Sequence, residues 1–168
     1  MNARTTALSA LIATRRQNAW SDGVLKEYIA RDRLDARDAA LASRLCYGVL
    51  QNRMLLDFYI AHFLNGKLRE LQPVVLDILR LGAFQIVFLD KIPASAAVNE
   101  AVEQCKSYAN RRAAGLVNGL LRAMARSRDA LPEPPDLATK YSHPQKLVEL
   151  LEESVGKDAI EPLLKCDN

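Results

Sequence analysis

The sequence predicts an all-α protein. Apolar residues recur at three-to-four spacing through most of the chain, and the few runs of β-branched residues lie inside that helical spacing. No segment shows the alternation of a half-buried strand. With 168 residues, 49% of them hydrophobic and 26% charged, the chain suits one globular domain with a core, to which a further segment is attached.

The most apolar stretch predicts a central helix. From about Pro73 to Leu89, apolar residues lie on almost every side of a helical wheel, and only Asp77, Arg80 and Gln85 interrupt them. The charges and the short run favour a core helix of a soluble protein over a membrane span, which needs about 20 uninterrupted apolar residues. Pro93 then turns the chain, so a second helix follows and packs on the first as a hairpin.

The other helices follow from the same periodicity and from local stop and start signals. The predicted segments are about 4–16, a helix capped by Ser21 and running to about 29, a helix capped by Asp35 and running to about 50, 54–64, 73–89, 95–108 and 111–126. Three prolines within Leu131–Asp136 predict a boundary between a helical domain, 1–130, and a segment, 131–168. That segment contains YSHP, a short helix through 147–151 and, after Gly156, an amphipathic end.

Basic charge is concentrated at two places. Residues 1–53 carry nine Lys and Arg against five acids, and residues 111–128 carry five arginines and no acid. Such clusters favour a polyanionic partner, although solvation of the surface or snorkelling at the edge of the core is the alternative for any single charge. The predicted RNA-contacting residues are Arg4, Arg15, Arg16, Arg111, Arg112, Arg122 and Arg126.

The sequence contains no recognisable pattern of catalytic residues. No glycine-rich loop follows a strand, the two histidines have no partner at a catalytic spacing, and the three cysteines form neither a disulfide framework nor a metal-ligand pattern. Cys46 and Cys105 lie on apolar faces, where inert buried thiols are expected. We interpret Asn99 with Glu100, and Asn118, as hydrogen-bonding groups for neighbouring helix ends. These residues alone predict a helical binding module with no catalytic, cofactor-binding or metal-binding residue.

Four segments together resemble a known family. They are ALASRLCYGVLQNRMLLDFYI, LRLGAFQIVFLDKIPASAAVNEAVE, GLVNGLLRAMAR and YSHPQKLVELL. In this order they are similar to the amino-terminal NusB-like domain of the bacterial 16S rRNA cytosine-5 methyltransferase B, or Sun/Fmu, family. The resemblance implies a NusB-like helical bundle with a C-terminal helical extension, which binds RNA and helps to position 16S rRNA.

In that family the enzyme continues into an S-adenosylmethionine-binding domain that carries the catalytic cysteines. The present sequence ends at KCDN, and none of its cysteines stands in the family's Pro-Cys or Thr-Cys motifs, so no catalytic residue is carried over. We therefore expect a domain excised from a longer rRNA methyltransferase. S-adenosylmethionine and the methyltransferase domain as a partner are expected for the full-length protein only.

Two further readings stay open at this point. A free-standing transcription antitermination factor of the NusB type, which binds RNA and a ribosomal protein, has the same fold but usually stops soon after the VNG helix. A helical protein-interaction domain is the third reading. The absence of a signal-peptide pattern predicts a cytoplasmic protein without membrane contact, and the sequence does not indicate an oligomeric state.

Overall fold

The computed structural model describes residues 2–18, 20 and 22–141. That part of the chain is all-α and contains no strand. Its helices are α1 (Ala3–Gln17), α2 (Asp22–Arg31), α3 (Ala36–Gln51), α4 (Arg53–Phe63), α5 (Pro73–Phe88), α6 (Ala94–Tyr108), α7 (Arg111–Arg126) and α8 (Leu137–Tyr141), with 3₁₀ turns at Leu68–Glu70 and Arg128–Ala130. The predicted fold class is confirmed.

The helices begin where side chains can satisfy the first backbone N–H groups. Asn2, Asp35 and Asn110 each accept a hydrogen bond from the amide three residues later, at 2.8–2.9 Å. Pro73 starts α5, where its missing N–H costs nothing. Helices α1 and α3 to α7 begin and end within one or two residues of the predicted positions. The predicted cap Ser21 lies outside the described residues.

Helix α5 is the centre of the fold, as the sequence predicts. Helices α1, α3, α4, α6 and α7 all pack against it, and every residue from Asp77 to Ile86 is buried. The packing leaves no space at two glycines. A Cβ atom on Gly48 would lie 2.0 Å from the ring of Phe84, and one on Gly82 would lie 2.7 Å from a methyl group of Leu121. Both glycines therefore allow helices to approach closely.

Helices α5, α6 and α7 follow one another as packed neighbours. The turn at Pro93 places α6 against α5, so the predicted hairpin is confirmed. Helix α7 packs on both, and its apolar stripe through Val117, Leu121 and Met124 is fully buried. The opposite side of α7 is left at the surface, and that side carries its arginines.

The proline-rich segment runs along the body of the protein. Leu131 packs against the core, and α8 packs against α4. Asp136 caps α8, because its carboxylate accepts the backbone N–H of Thr139 at 2.7 Å. The sequence analysis did not predict this turn of helix, although Asp136 is a recognisable cap. The predicted helix through 147–151 and the chain beyond it lie outside the described residues.

Candidate nucleic-acid interface

Helix α7 presents four of the predicted arginines to solvent. Arg111 and Arg112 lie at its N-terminal end, whereas Arg122 and Arg126 lie in its last two turns, and all four are exposed. The helix rises about 1.5 Å per residue, so the two pairs are separated by roughly 15–20 Å along the axis. In the described part of the chain, no carboxylate lies within ion-pairing distance of these four guanidinium groups.

Arg122 is held in a defined direction by its own helix. Its Nε donates a hydrogen bond to Oδ1 of Asn118, one turn earlier, at 2.8 Å. Asn118 therefore bonds within α7 and not to a neighbouring helix end, contrary to the prediction. The bond satisfies one N–H and leaves the planar end of the guanidinium to contact an external group. An arginine oriented in this way loses less conformational entropy when it binds a phosphate.

The arginines of α1 are differently placed, because two of them contact α5. The Nε of Arg4 donates to the side-chain oxygen of Gln85 at 2.6 Å, and the Nε of Arg15 donates to a carboxylate oxygen of Asp77 at 2.9 Å. Asp77 is almost fully buried, and its neighbour Arg80 lies within 3.9 Å of it. Arg4 and Arg15 therefore satisfy buried polar groups of the central helix, whatever else they bind.

The carboxyl of Asp77 is buried beside two guanidinium groups. Burial raises its pKa above the ordinary value, and the hydrogen bond and charge of Arg15 only partly oppose that effect. Arg80 makes its closest contacts with Asp57, through two hydrogen bonds of 2.7 and 2.9 Å. Together these side chains form a partly buried polar network between α1, α4 and α5, which we call the α5 network: Arg15, Asp57, Asp77 and Arg80.

Arg16 lies on another side of α1, in a groove of about 620 Å³. Tyr28 and Arg31 of α2 and Tyr108 of α6 line the same groove. The guanidinium of Arg31 lies 4.3 Å from the ring centre of Tyr28, and Tyr108 is 40% exposed. Tyr108 ends α6, so Arg111 follows it after a two-residue link. Arg16 and the N-terminal arginines of α7 are thus at the same end of the bundle.

The groove combines cations with one exposed and one partly buried tyrosine ring, and surfaces that bind unpaired RNA combine cations with rings in this way. Sequence reasoning missed Tyr28, Arg31 and Tyr108. Arg31 is bonded to Asp32 at 2.9 Å, and the hydrogen bond from Arg31 lowers the pKa of that carboxyl. Tyr108 was detectable, because it stands three residues beyond Cys105, the last apolar position of α6, and just before the arginine cluster.

The predicted residues therefore fall into three sets. Arg16, Arg111 and Arg112 lie at one end of the bundle, and Arg122 and Arg126 lie at the other end of α7. Arg4 and Arg15 bond to α5 along the length of α1. The predicted role of Glu100 is confirmed, since it accepts a hydrogen bond from the side chain of Asn2, the cap of α1, at 2.8 Å. Asn99 is exposed.

The described cysteines are poor nucleophiles. Both are buried, and desolvation raises the pKa of Cys46 to about 12 and that of Cys105 above its ordinary value. Each thiol is therefore protonated at neutral pH. Within the described ranges, no group of three or more His, Cys, Asp and Glu residues is placed to hold a metal ion. No helix in this part of the chain combines the length and the apolar character that crossing a membrane requires.

Comparison with known proteins identifies the fold. The profile of the NusB family matches residues 1–126. The chain belongs to the NusB family. A chain in the crystal structure of antitermination factors NusB and NusE in complex with dsRNA superimposes with a TM-score of 0.68 at 24% identity, covering 74% of the present chain and 94% of that one. The predicted NusB-like bundle is therefore confirmed.

Two relatives show where the similarity extends. The probable ribosomal RNA small subunit methyltransferase B of Bacillus subtilis is 38% identical over 167 residues, 96% of this chain and 37% of that protein. The transcription antitermination protein NusB of Ruminiclostridium cellulolyticum is 33% identical over 131 residues, 77% of this chain and 89% of that protein. The chain thus spans less than two-fifths of the methyltransferase and most of the NusB protein.

Proposed function

We propose that this chain is the RNA-binding NusB domain of an rRNA small-subunit cytosine-5 methyltransferase, and that it helps to position 16S rRNA for a catalytic domain. One observation carries the proposal. Similarity to the Bacillus subtilis methyltransferase continues over 167 residues, whereas the NusB profile ends at residue 126. The segment after the NusB fold is therefore shared with the methyltransferase.

The surface of the described domain supports RNA as the ligand. Arginine forms bidentate hydrogen bonds with phosphate, and the exposed arginines of α7 have no carboxylate in pairing distance among the described residues. The groove at Arg16 adds two tyrosine rings to these cations. Ordinary exposed helices mix Glu and Lys, so packing and solubility do not account for this composition.

The cofactor would be bound outside the described part of the chain. That part contains no strand and hence no glycine-rich turn after a strand, so its residues do not fit S-adenosylmethionine. S-adenosylmethionine would act in the methyltransferase domain of the full-length protein, which we propose as the partner of this domain. A cytoplasmic location follows from that role.

RNA binding can be tested with a double charge reversal, Arg122→Glu with Arg126→Glu. Phosphate contacts dominate such binding, so each lost contact should reduce the slope of log affinity against log salt by slightly under one. We expect the reversal to weaken binding of a 16S rRNA fragment at least tenfold in fluorescence anisotropy. The matched control is Lys26→Glu with Arg37→Glu, two exposed positions on α2 and α3 with the same change in charge.

Equal losses in the two double variants would show general charge attraction and no defined RNA face. Unchanged binding after the reversal on α7 would remove that helix from the interface. Circular dichroism before each titration shows whether the variants keep their helices.

A free-standing antitermination factor is the second candidate, because the chain covers 89% of the Ruminiclostridium cellulolyticum NusB protein. A factor of that kind would bind a ribosomal protein together with RNA. Mixing the chain with such a protein and a leader RNA distinguishes the two functions. A stable ternary complex supports the antitermination factor, whereas preference for 16S rRNA without the protein supports the methyltransferase domain.

A further inference from the structure

A second groove lies apart from the arginines of α1. It is bounded by α3, by α4 and by the C-terminal half of α5, and residues 131–134 form its remaining wall. Its volume is about 800 Å³, within the range of about 300–1,000 Å³ that ligand sites occupy. The proline-rich segment that the sequence marks as a boundary is thus one side of a cleft.

Aromatic rings form the floor of this groove. Phe84 is 4% exposed and packs its ring on the backbone of Gly48, and the ring of Phe88 stacks on it with a centroid distance of 5.3 Å. Phe88 is 38% exposed, so part of its side chain is accessible to a ligand. Tyr47 and Tyr59 also line the groove.

The rings are held before any ligand arrives. The hydroxyl of Tyr47 donates a hydrogen bond to the carboxylate of Asp22. Its ring meets that of Trp20 edge-on, with the ring centroids 5.3 Å apart. Tyr59 is partly buried, and that burial, together with the charge of Glu133, raises the pKa of its hydroxyl. It is therefore neutral at physiological pH. A rigid aromatic floor lowers the entropic cost of binding a flat ligand.

The charges that line the groove are mainly positive. Arg44, Arg128 and Lys140 line it, and among the described residues Glu133 supplies the one carboxylate of its lining. Arg128 forms a solvent-exposed ion pair with Asp90. Arg128 also follows Arg126 by two residues, so the exposed arginines of α7 continue to the edge of the groove.

We propose that this groove binds an unpaired nucleotide of RNA, with the base stacked on Phe88 and the phosphate contacted by Arg44 and Arg128. Stacking needs only a π-face, so the site would accept single-stranded RNA of many sequences. Base-paired RNA would not enter, because its bases are stacked on one another. The inference rests on the proposed RNA binding and adds to it the strand state of the RNA.

The test compares two fluorescent probes, a single-stranded 12-mer and a hairpin duplex of the same composition. Loss of one stacking ring costs about tenfold in affinity, so Phe88→Ala should weaken the single strand about tenfold and leave the duplex unchanged. Met54→Ala is the matched control, because Met54 is 40% exposed and lies outside the groove. Arg44→Gln should weaken the single strand alone.

A second measurement uses the wild-type chain, so it does not depend on whether a variant folds. The methyl groups of Leu55 and Val87 line the groove, and their NMR signals should shift with the single strand and not with the duplex. The proposed site would be wrong if Phe88→Ala bound the single strand as tightly as the wild type and the methyl signals did not shift. RNA binding by the arginines of α7 would still be tested separately by the double charge reversal. Failure of the wild-type chain to bind either probe would instead overturn the proposed function. If the full-length protein without RNA already shields these methyl groups, a protein segment occupies the groove and the proposal is wrong.

Discussion

Helices α5 and α7 are both sixteen residues long, and both contain arginine, yet they use it in opposite ways. In α5, Arg80 is 8% exposed and is bonded twice to Asp57. In α7, Arg111, Arg112 and Arg126 are exposed, and in the described part of the chain no carboxylate pairs with them. The residue type is the same, and its surroundings decide its role.

The glycines of the protein show the same contrast. Gly48 and Gly82 lie where helices meet α5, and a Cβ atom at either would overlap a neighbouring side chain. Gly115 and Gly119 lie on the outer side of α7, where a Cβ atom would meet nothing within 4 Å. Glycine in an exposed helix costs about 1 kcal/mol relative to alanine. The core therefore requires its glycines, whereas nothing in the described packing explains those of α7.

The largest expected effect comes from breaking the α5 network. Replacing Arg80 by alanine leaves the carboxylates of Asp57 and Asp77 without their shared cation, and the loss of one partner from a buried pair costs about 3 kcal/mol. Urea denaturation followed by circular dichroism measures the free energy of unfolding. Arg112→Ala on α7 is the control and should change it by less than about 0.5 kcal/mol. Similar losses in the two variants would contradict the contrast between the helices.

Alanine substitutions at two glycines sharpen the comparison, because we expect one to lower the free energy of unfolding and the other to raise it. Gly48→Ala forces the Phe84 ring to move, and overpacking outweighs the gain in helix propensity, for a net loss of about 2 kcal/mol. Gly119→Ala should instead stabilise the protein by about 0.5–1 kcal/mol. Thermal unfolding of the two variants should shift the midpoint in opposite directions. A destabilised Gly119→Ala variant would mean that its surroundings are as tightly packed as those of Gly48.

The smallest expected effect is a dependence on pH. Burial raises the pKa of Asp77, so between the unfolded value of about 3.9 and the raised folded value the folded state holds a proton that the unfolded state has released. The contribution of Asp77 to the free energy of unfolding therefore falls as pH rises through that window. Subtracting the stability of Asp77→Asn from that of the wild type at each pH isolates this contribution.

Asp32 provides a control of opposite sign. The hydrogen bond from Arg31 lowers its pKa, so its contribution is present above about 3.9 and is lost as pH falls through the lower folded value. The difference between wild type and Asp32→Asn should thus grow with pH, whereas the difference for Asp77→Asn should shrink. A difference for Asp77→Asn that rises with pH would show that the pairing with Arg15 outweighs burial.

The sequence predicted the helices because their signals are local. Asp35 and Pro73 mark helix starts within their own segments, and the apolar run before Phe88 identified the central helix correctly. The partners of its polar residues could not be predicted in that way. Asp77 is bonded to Arg15 from 62 positions away, and Gln85 to Arg4 from 81 positions away. Periodicity carries no information about such pairs.

The candidate interface was predictable only in part. Counting charges along the chain found the arginines of α7, because a run without acids is visible in one segment. The groove at Arg16 depends on Tyr28 and Arg31, which approach it only through the packing of α2 on α1. The second groove needs residues from α3, α4, α5 and the proline-rich segment at once. Which arginines contact RNA remains a proposal, and the charge reversals test it.

The hydrogen bond between the cap of α1 and the middle of α6 also has a consequence during synthesis. Asn2 donates to Glu100, 98 residues later in the chain, and α1 packs against α5. A ribosome adds about 5–20 residues per second, so the first helix waits about 5–20 s before its last contact exists. Helices α2 and α3 are made earlier and also pack on α1, so the part of α1 that contacts α5 and α6 is uncovered longest, and a chaperone that binds nascent chains would find its target there.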